Sequence, residues 1–162
     1  MKRLLSLSTA MLLAAAVSGS AAAQQQAPTA EQYLELLRQD IKTTKVAVLT
    51  EAMGLSQAQA DKFWPLYREY DLELSRIGDA QLANIRDYAQ AYDRMTDVIA
   101  KTLVDRSFQL QQDRLALRKR TFEKMSREVG AIVAGRFSQI ENQLLMLIDL
   151  QIQSELPLVE KP

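Results

Sequence analysis

Between Ser56 and Met95, Phe63, Tyr67, Tyr70, Leu74, Ile77, Ile85, Tyr88, Tyr92 and Met95 recur at steps of three or four residues, and Gln81 is the one polar residue in a stripe position. Such steps keep the side chains on a single face of an α-helix. A helix of this length would extend about 60 Å at 1.5 Å per residue, more than a compact domain of this size can wrap. It is therefore expected to stand as a rod along which other helices pack, and the chain reads as all-α, with four helices in a long antiparallel hairpin or bundle.

The other helices follow from their punctuation. Thr29 and Gln32 form a capping box before a first helix over Ala30 to Met53, whose apolar face is Leu34, Leu37, Ile41, Val48 and Ala52 and which stops at Gly54. Leu55, Ser56 and Gln59 repeat the capping-box spacing, with Leu55 placed as a hydrophobic staple, so two helices are expected to meet at a tight corner there. Pro65 predicts a kink near Asp61, and Gly78 is a second soft point. Thr96 is the expected cap of a third helix running to about Glu128. Its expected core stripe is Val104, Phe108, Leu115, Phe122 and Val129, with a second apolar line at Ile99, Leu103, Leu110 and Leu117. Arg106, Arg120, Lys124 and Arg127 lie opposite the core stripe and read as a solvated face or a docking surface for acidic partners. Gly130 divides this helix from a fourth, over Ala131 to Glu155, with Val133, Phe137, Ile140, Leu144 and Leu147 on its stripe and Pro157 after its end. From Leu144 to Ile152 the fourth helix is apolar nearly all round, as expected of a helix enclosed by the other three or covered by a second subunit.

The N-terminus follows a different pattern. Lys2 and Arg3 precede an apolar run from Leu4 to Val17 that ends in Ala21, Ala22 and Ala23, the order of a secretory signal peptide cleaved after Ala23. Residues 1–23 are then the signal, 24–29 a flexible leader and 30–159 a single helical domain. Removal of the signal takes Lys2 and Arg3 with it and leaves 18 basic against 20 acidic residues, a balance that does not point to nucleic acid. No later apolar run reaches spanning length, because Asp149 interrupts the densest one, so no membrane insertion is expected after cleavage. The absence of cysteine excludes disulfides and thiolate metal sites, and an exported helical chain of this kind fits a periplasm.

Enzyme chemistry finds no support. With no histidine and no cysteine the chain lacks the usual general base, the usual activated thiol and the Glu-x-x-His pairs of di-iron bundles. Glu69 and Glu73 read as neighbouring surface carboxylates, the scattered glycines form no phosphate loop, and the dispersed methionines read as core filler. No cofactor or metal is expected. Trp64 lies about a quarter-turn off the second helix's stripe and is a candidate for packing at the corner or for partner contact.

Leu55-Ser56-Gln57-Ala58-Gln59 resembles the LTxxQ pattern of the Spy/CpxP family of periplasmic helical proteins, with Ser in place of Thr. Phe63-Trp64-Pro65-Leu66-Tyr67, the segment Arg136 to Asn142 and Leu156-Pro157-Leu158-Val159 extend the resemblance, which covers roughly Lys42 to Val159. It implies long antiparallel helices that dimerise into a cradle, and a role as an ATP-independent chaperone or as an accessory of envelope-stress signalling. The partners would be unfolded clients or a stress sensor. The alternative is a structural or regulatory coiled-coil-like homodimer without chaperone activity. Candidate partner-binding positions are Trp64, Leu103, Leu110 and Leu117.

Overall fold

The computed structural model describes residues 43–159, which form four helices and no strand. The expected signal peptide, leader and first-helix positions Leu34, Leu37 and Ile41 lie outside the described residues. α1 covers 43–53, α2 is Gln57–Ala91, α3 is Asp97–Val129 and α4 is Ala131–Glu155, with a 3-10 turn at Tyr92–Arg94 between α2 and α3. Among the described residues no helix is long and apolar enough to cross a membrane.

The boundaries have local causes. Gly54 takes a φ of 55°, the left-handed stop that ends α1. Ser56 then caps α2 as read from the sequence: its hydroxyl accepts from the Gln59 N–H while the Gln59 side chain accepts from the Ser56 N–H. α2 continues through Pro65 as a single 35-residue span, about 52 Å at 1.5 Å per residue. Thr96 caps α3 by accepting from the Ile99 N–H. Gly130 alone separates α3 from α4, at φ 90° and ψ 149°, a conformation that only glycine holds without strain.

Ion pairs set the register. Glu69, Glu73 and Asp87 on α2 meet Lys124, Arg120 and Arg106 on α3, so the two helices lie antiparallel and zipped along one edge. Arg114 grips Asp149 with both guanidinium nitrogens, at 2.8 and 2.7 Å, and Arg118 donates to Asn142, which lays α4 antiparallel to α3. α4 then runs parallel to α2. Its Phe137 packs against Phe63, and at the far end Tyr88 and Tyr92 donate to the carbonyls of Pro157 and Leu158.

This arrangement rotates α3 relative to the sequence reading. Leu103 and Leu117 are buried, with Thr121 and Met125 continuing their line, whereas Val104, Phe108, Leu115 and Phe122 of the expected core stripe are exposed. Leu110 is half-buried. The line expected to be surplus is the one that packs inward. In this orientation Arg106, Arg120 and Lys124 stay exposed, as expected of a solvated face, and also reach the α2 carboxylates, while Leu103 and Leu117 on the other side of the helix meet the core. α1 is rotated in the same sense within its described part, burying Lys45, Leu49 and Met53 while Val48 of the expected stripe is exposed.

Candidate functional site

Two features outside the apolar packing merit a functional reading, a buried polar cluster beneath α1 and an exposed apolar face on α3 and α4. The cluster is built on the aromatic part of the α2 stripe. Phe63, Tyr67 and Tyr70 form one wall and Phe137 of α4 the other, with ring centroids 5.5 to 6.1 Å apart across the seam and near-perpendicular planes. Edge-to-face contacts of this kind match the ring quadrupoles. Trp64 is half-buried and sits edge-on to Phe63 and Tyr67, at 5.1 and 5.5 Å, so it belongs to this wall.

One turn along from Phe137, on the same face of α4, stands Glu141. It is 1% exposed, and its Oε1 accepts from Lys45 Nζ and from the Tyr70 hydroxyl, each at 2.7 Å. Lys45 is 5% exposed, and its ammonium also lies 5.6 Å from the Tyr70 ring centre and 5.9 Å from that of Tyr67. Leu49 and Met53 follow Lys45 at four-residue steps and enter the same aromatic groove. Arg136 donates to the Ala52 carbonyl at 2.8 Å and holds the last turn of α1 from outside. Burial pushes the Tyr70 phenol far above its ordinary range, and the neighbouring Glu141 carboxylate adds to the effect. Tyr67 is raised for the same first reason, with Asp71 and Glu141 contributing. Glu141 Oε2 and the Tyr67 hydroxyl are both buried and have no hydrogen-bond partner among the described residues. The sequence reading placed Phe63, Tyr67, Tyr70 and Phe137 on apolar stripes and Trp64 at the corner, and assigned neither Lys45 nor Glu141.

The second feature is the outer face of the α3–α4 hairpin. Phe108 and Leu115 are 58% and 65% exposed and line a shallow depression with Gln111, Gln112, Arg114 and Arg118. Across the seam, the register fixed by Arg114–Asp149 and Arg118–Asn142 brings Leu115 level with the turn of α4 that carries Met146. Met146 and Leu150 are both exposed, and their helical positions place them beyond Asn142 and Asp149 on the same outer side. The apolar positions open to a partner along the middle of α3 thus include Val104, Phe108, Leu115 and Phe122, while the candidates Leu103 and Leu117 are buried and Leu110 is half-buried. Among the described residues no group of three or more acidic side chains is placed to hold a metal ion. Comparison of the chain with family models, with curated proteins and with solved structures yields no match.

Proposed function

We propose that this is an exported, non-enzymatic helical binding protein that takes up other polypeptides on the outer face of its α3–α4 hairpin, acting as an ATP-independent chaperone or an envelope-stress accessory of the Spy/CpxP kind. The observation that carries the reading is the exposure of Phe108 and Leu115 on α3 and of Met146 and Leu150 on α4, which the Arg114–Asp149 register and their helical positions put on the outer side of one seam. Scattered apolar side chains need no explanation, but an apolar strip shared by two helices and bordered by Gln111, Gln112 and Arg118 has the composition of a contact surface. Methionine adapts to partners of differing shape, so Met146 suits a surface for unfolded clients. The export-type N-terminus supports a periplasmic setting, and the absence of histidine and cysteine supports a role in binding.

Phe108→Glu with Leu115→Glu tests the reading. Both side chains are outside the core, so the double variant is expected to keep its helicity and lose under about 1 kcal/mol of stability. In an aggregation assay with a denatured test protein and no nucleotide, the unaltered chain delays turbidity and the variant does not. A variant that protects as well as the parent removes this face from the function. If the parent gives no protection and light scattering shows a dimer that the variant dissociates, the face belongs instead to a structural homodimer.

A further inference from the structure

α1 makes an unusual core helix. Of the three side chains it buries among the described residues, one is a lysine, and its neighbours Val46 and Val48 remain exposed. A buried ion pair is weak evidence for stability, because removing two charges from water offsets most of their attraction. Lys45 also satisfies only half of its acceptor: the Glu141 Oε1 is taken, while Oε2 and the Tyr67 hydroxyl have no hydrogen-bond partner among the described residues. The joint behind α1 is the exposed Gly54, and the Ser56 capping box holds the start of α2 without any help from α1.

We infer that α1 is a ligand in cis, and that the groove it fills between α2 and α4 is a binding site for an amphipathic helix of a partner protein. That partner helix carries a cationic residue followed four and eight residues later by large apolar side chains. The groove supplies what such a helix needs. Phe63, Tyr67 and Phe137 make an aromatic floor for the two apolar anchors, the Tyr67 and Tyr70 rings flank the cation, and Glu141 supplies a buried carboxylate as its partner. An arginine at the cationic position brings the second donor that Lys45 lacks, because a planar guanidinium can engage both carboxylate oxygens, and Glu141 Oε2 has no hydrogen-bond partner among the described residues. On this proposal a partner bearing arginine is the stronger occupant and takes the place of the cis helix. This site is separate from the α3–α4 face and does not depend on the function proposed for that face.

The test uses the full chain and a fluorescently labelled, side-chain-stapled peptide of residues 43–53, stapled because a helix this short does not hold its shape in water. The unaltered chain binds the peptide weakly, since α1 occupies the groove. Leu49→Ala in the full chain loosens α1 and is expected to raise peptide affinity about tenfold, in proportion to the fraction of molecules with an open groove. Against the Leu49→Ala chain, a peptide carrying Lys45→Arg binds more tightly than the parent peptide, and one carrying Lys45→Gln loses about tenfold or more. The proposal is overturned if Leu49→Ala retains its helicity and binds no better than the unaltered chain, or if the Lys45→Gln peptide binds as well as the parent peptide. Lys45→Ala is the second loosening variant. If both variants lose the fold of α2 to α4, α1 is integral to the core and the proposal also fails.

Discussion

Glu141→Gln is expected to cost about 3–5 kcal/mol of the state in which α1 is docked, because it leaves the Lys45 ammonium buried beside a neutral amide. Lys45 Nζ has Glu141 as its charged partner at 2.7 Å, and at 5% exposure water does not replace it. Denaturant unfolding reads the loss where the molecule unfolds as one unit. Where α1 comes away first, it appears as accelerated amide exchange over residues 43–53. The triple change Lys45→Met, Tyr70→Phe and Glu141→Leu removes donor, cation and acceptor together, and is expected to restore most of the lost stability, since apolar replacement of a complete buried pair is often neutral or favourable. If Glu141→Gln matches the parent in both measurements, the cluster is not closed in solution.

Phe63→Ala and Phe108→Ala make the second comparison. Phe63 is 0% exposed and touches Trp64, Tyr67 and Phe137, so its truncation opens a cavity and is expected to cost about 3–5 kcal/mol. Phe108, more than half exposed, is expected to cost about 0.5 kcal/mol or less. Urea unfolding with an unchanged slope separates the two cleanly. Equal losses would mean that α3 turns its Phe108 face inward.

Backbone punctuation made much of this fold legible in the sequence. The Gly54 stop, the Ser56–Gln59 box, the Thr96 cap and the Gly130 break each act within a few residues, and each appears where it was read. Helix two was also legible by face, because Phe63, Tyr67 and Tyr70 are large, consecutive along the stripe and buried. The rotation of α3 was not. It carries two apolar lines of similar strength, and the choice between them depends on a neighbour distant in sequence. One signal could have decided it: Glu69, Glu73 and Asp87 on α2 have the same spacing, in reverse order, as Lys124, Arg120 and Arg106 on α3. Those basic residues are exposed, as read, but reading them only as a solvated face passed over that match.

The Lys45–Glu141 pair was hidden for a related reason. A charged residue read alone is assigned to the surface, and nothing local shows that a lysine and a glutamate 96 residues apart share an enclosed space. Position did hold a hint, since Glu141 stands four residues beyond Phe137 on the core face of α4 and Lys45 four before the buried Leu49. The outer α3–α4 face escaped as a direct consequence of the α3 rotation, which exchanged the candidate contact line for the core line.

That exchange is the central structural claim, and the absence of cysteine from the chain makes it directly measurable. Leu115→Cys and Leu117→Cys, prepared as separate single variants, place one thiol on each line of α3. Dilute protein treated with a maleimide should be modified at Leu115→Cys nearly as fast as a small free thiol and at Leu117→Cys more slowly by about a hundredfold or more, since reaction there waits for an opening of the core. Leu117→Cys reacting as fast as Leu115→Cys, or faster, would contradict the orientation of α3 and with it the binding face proposed here.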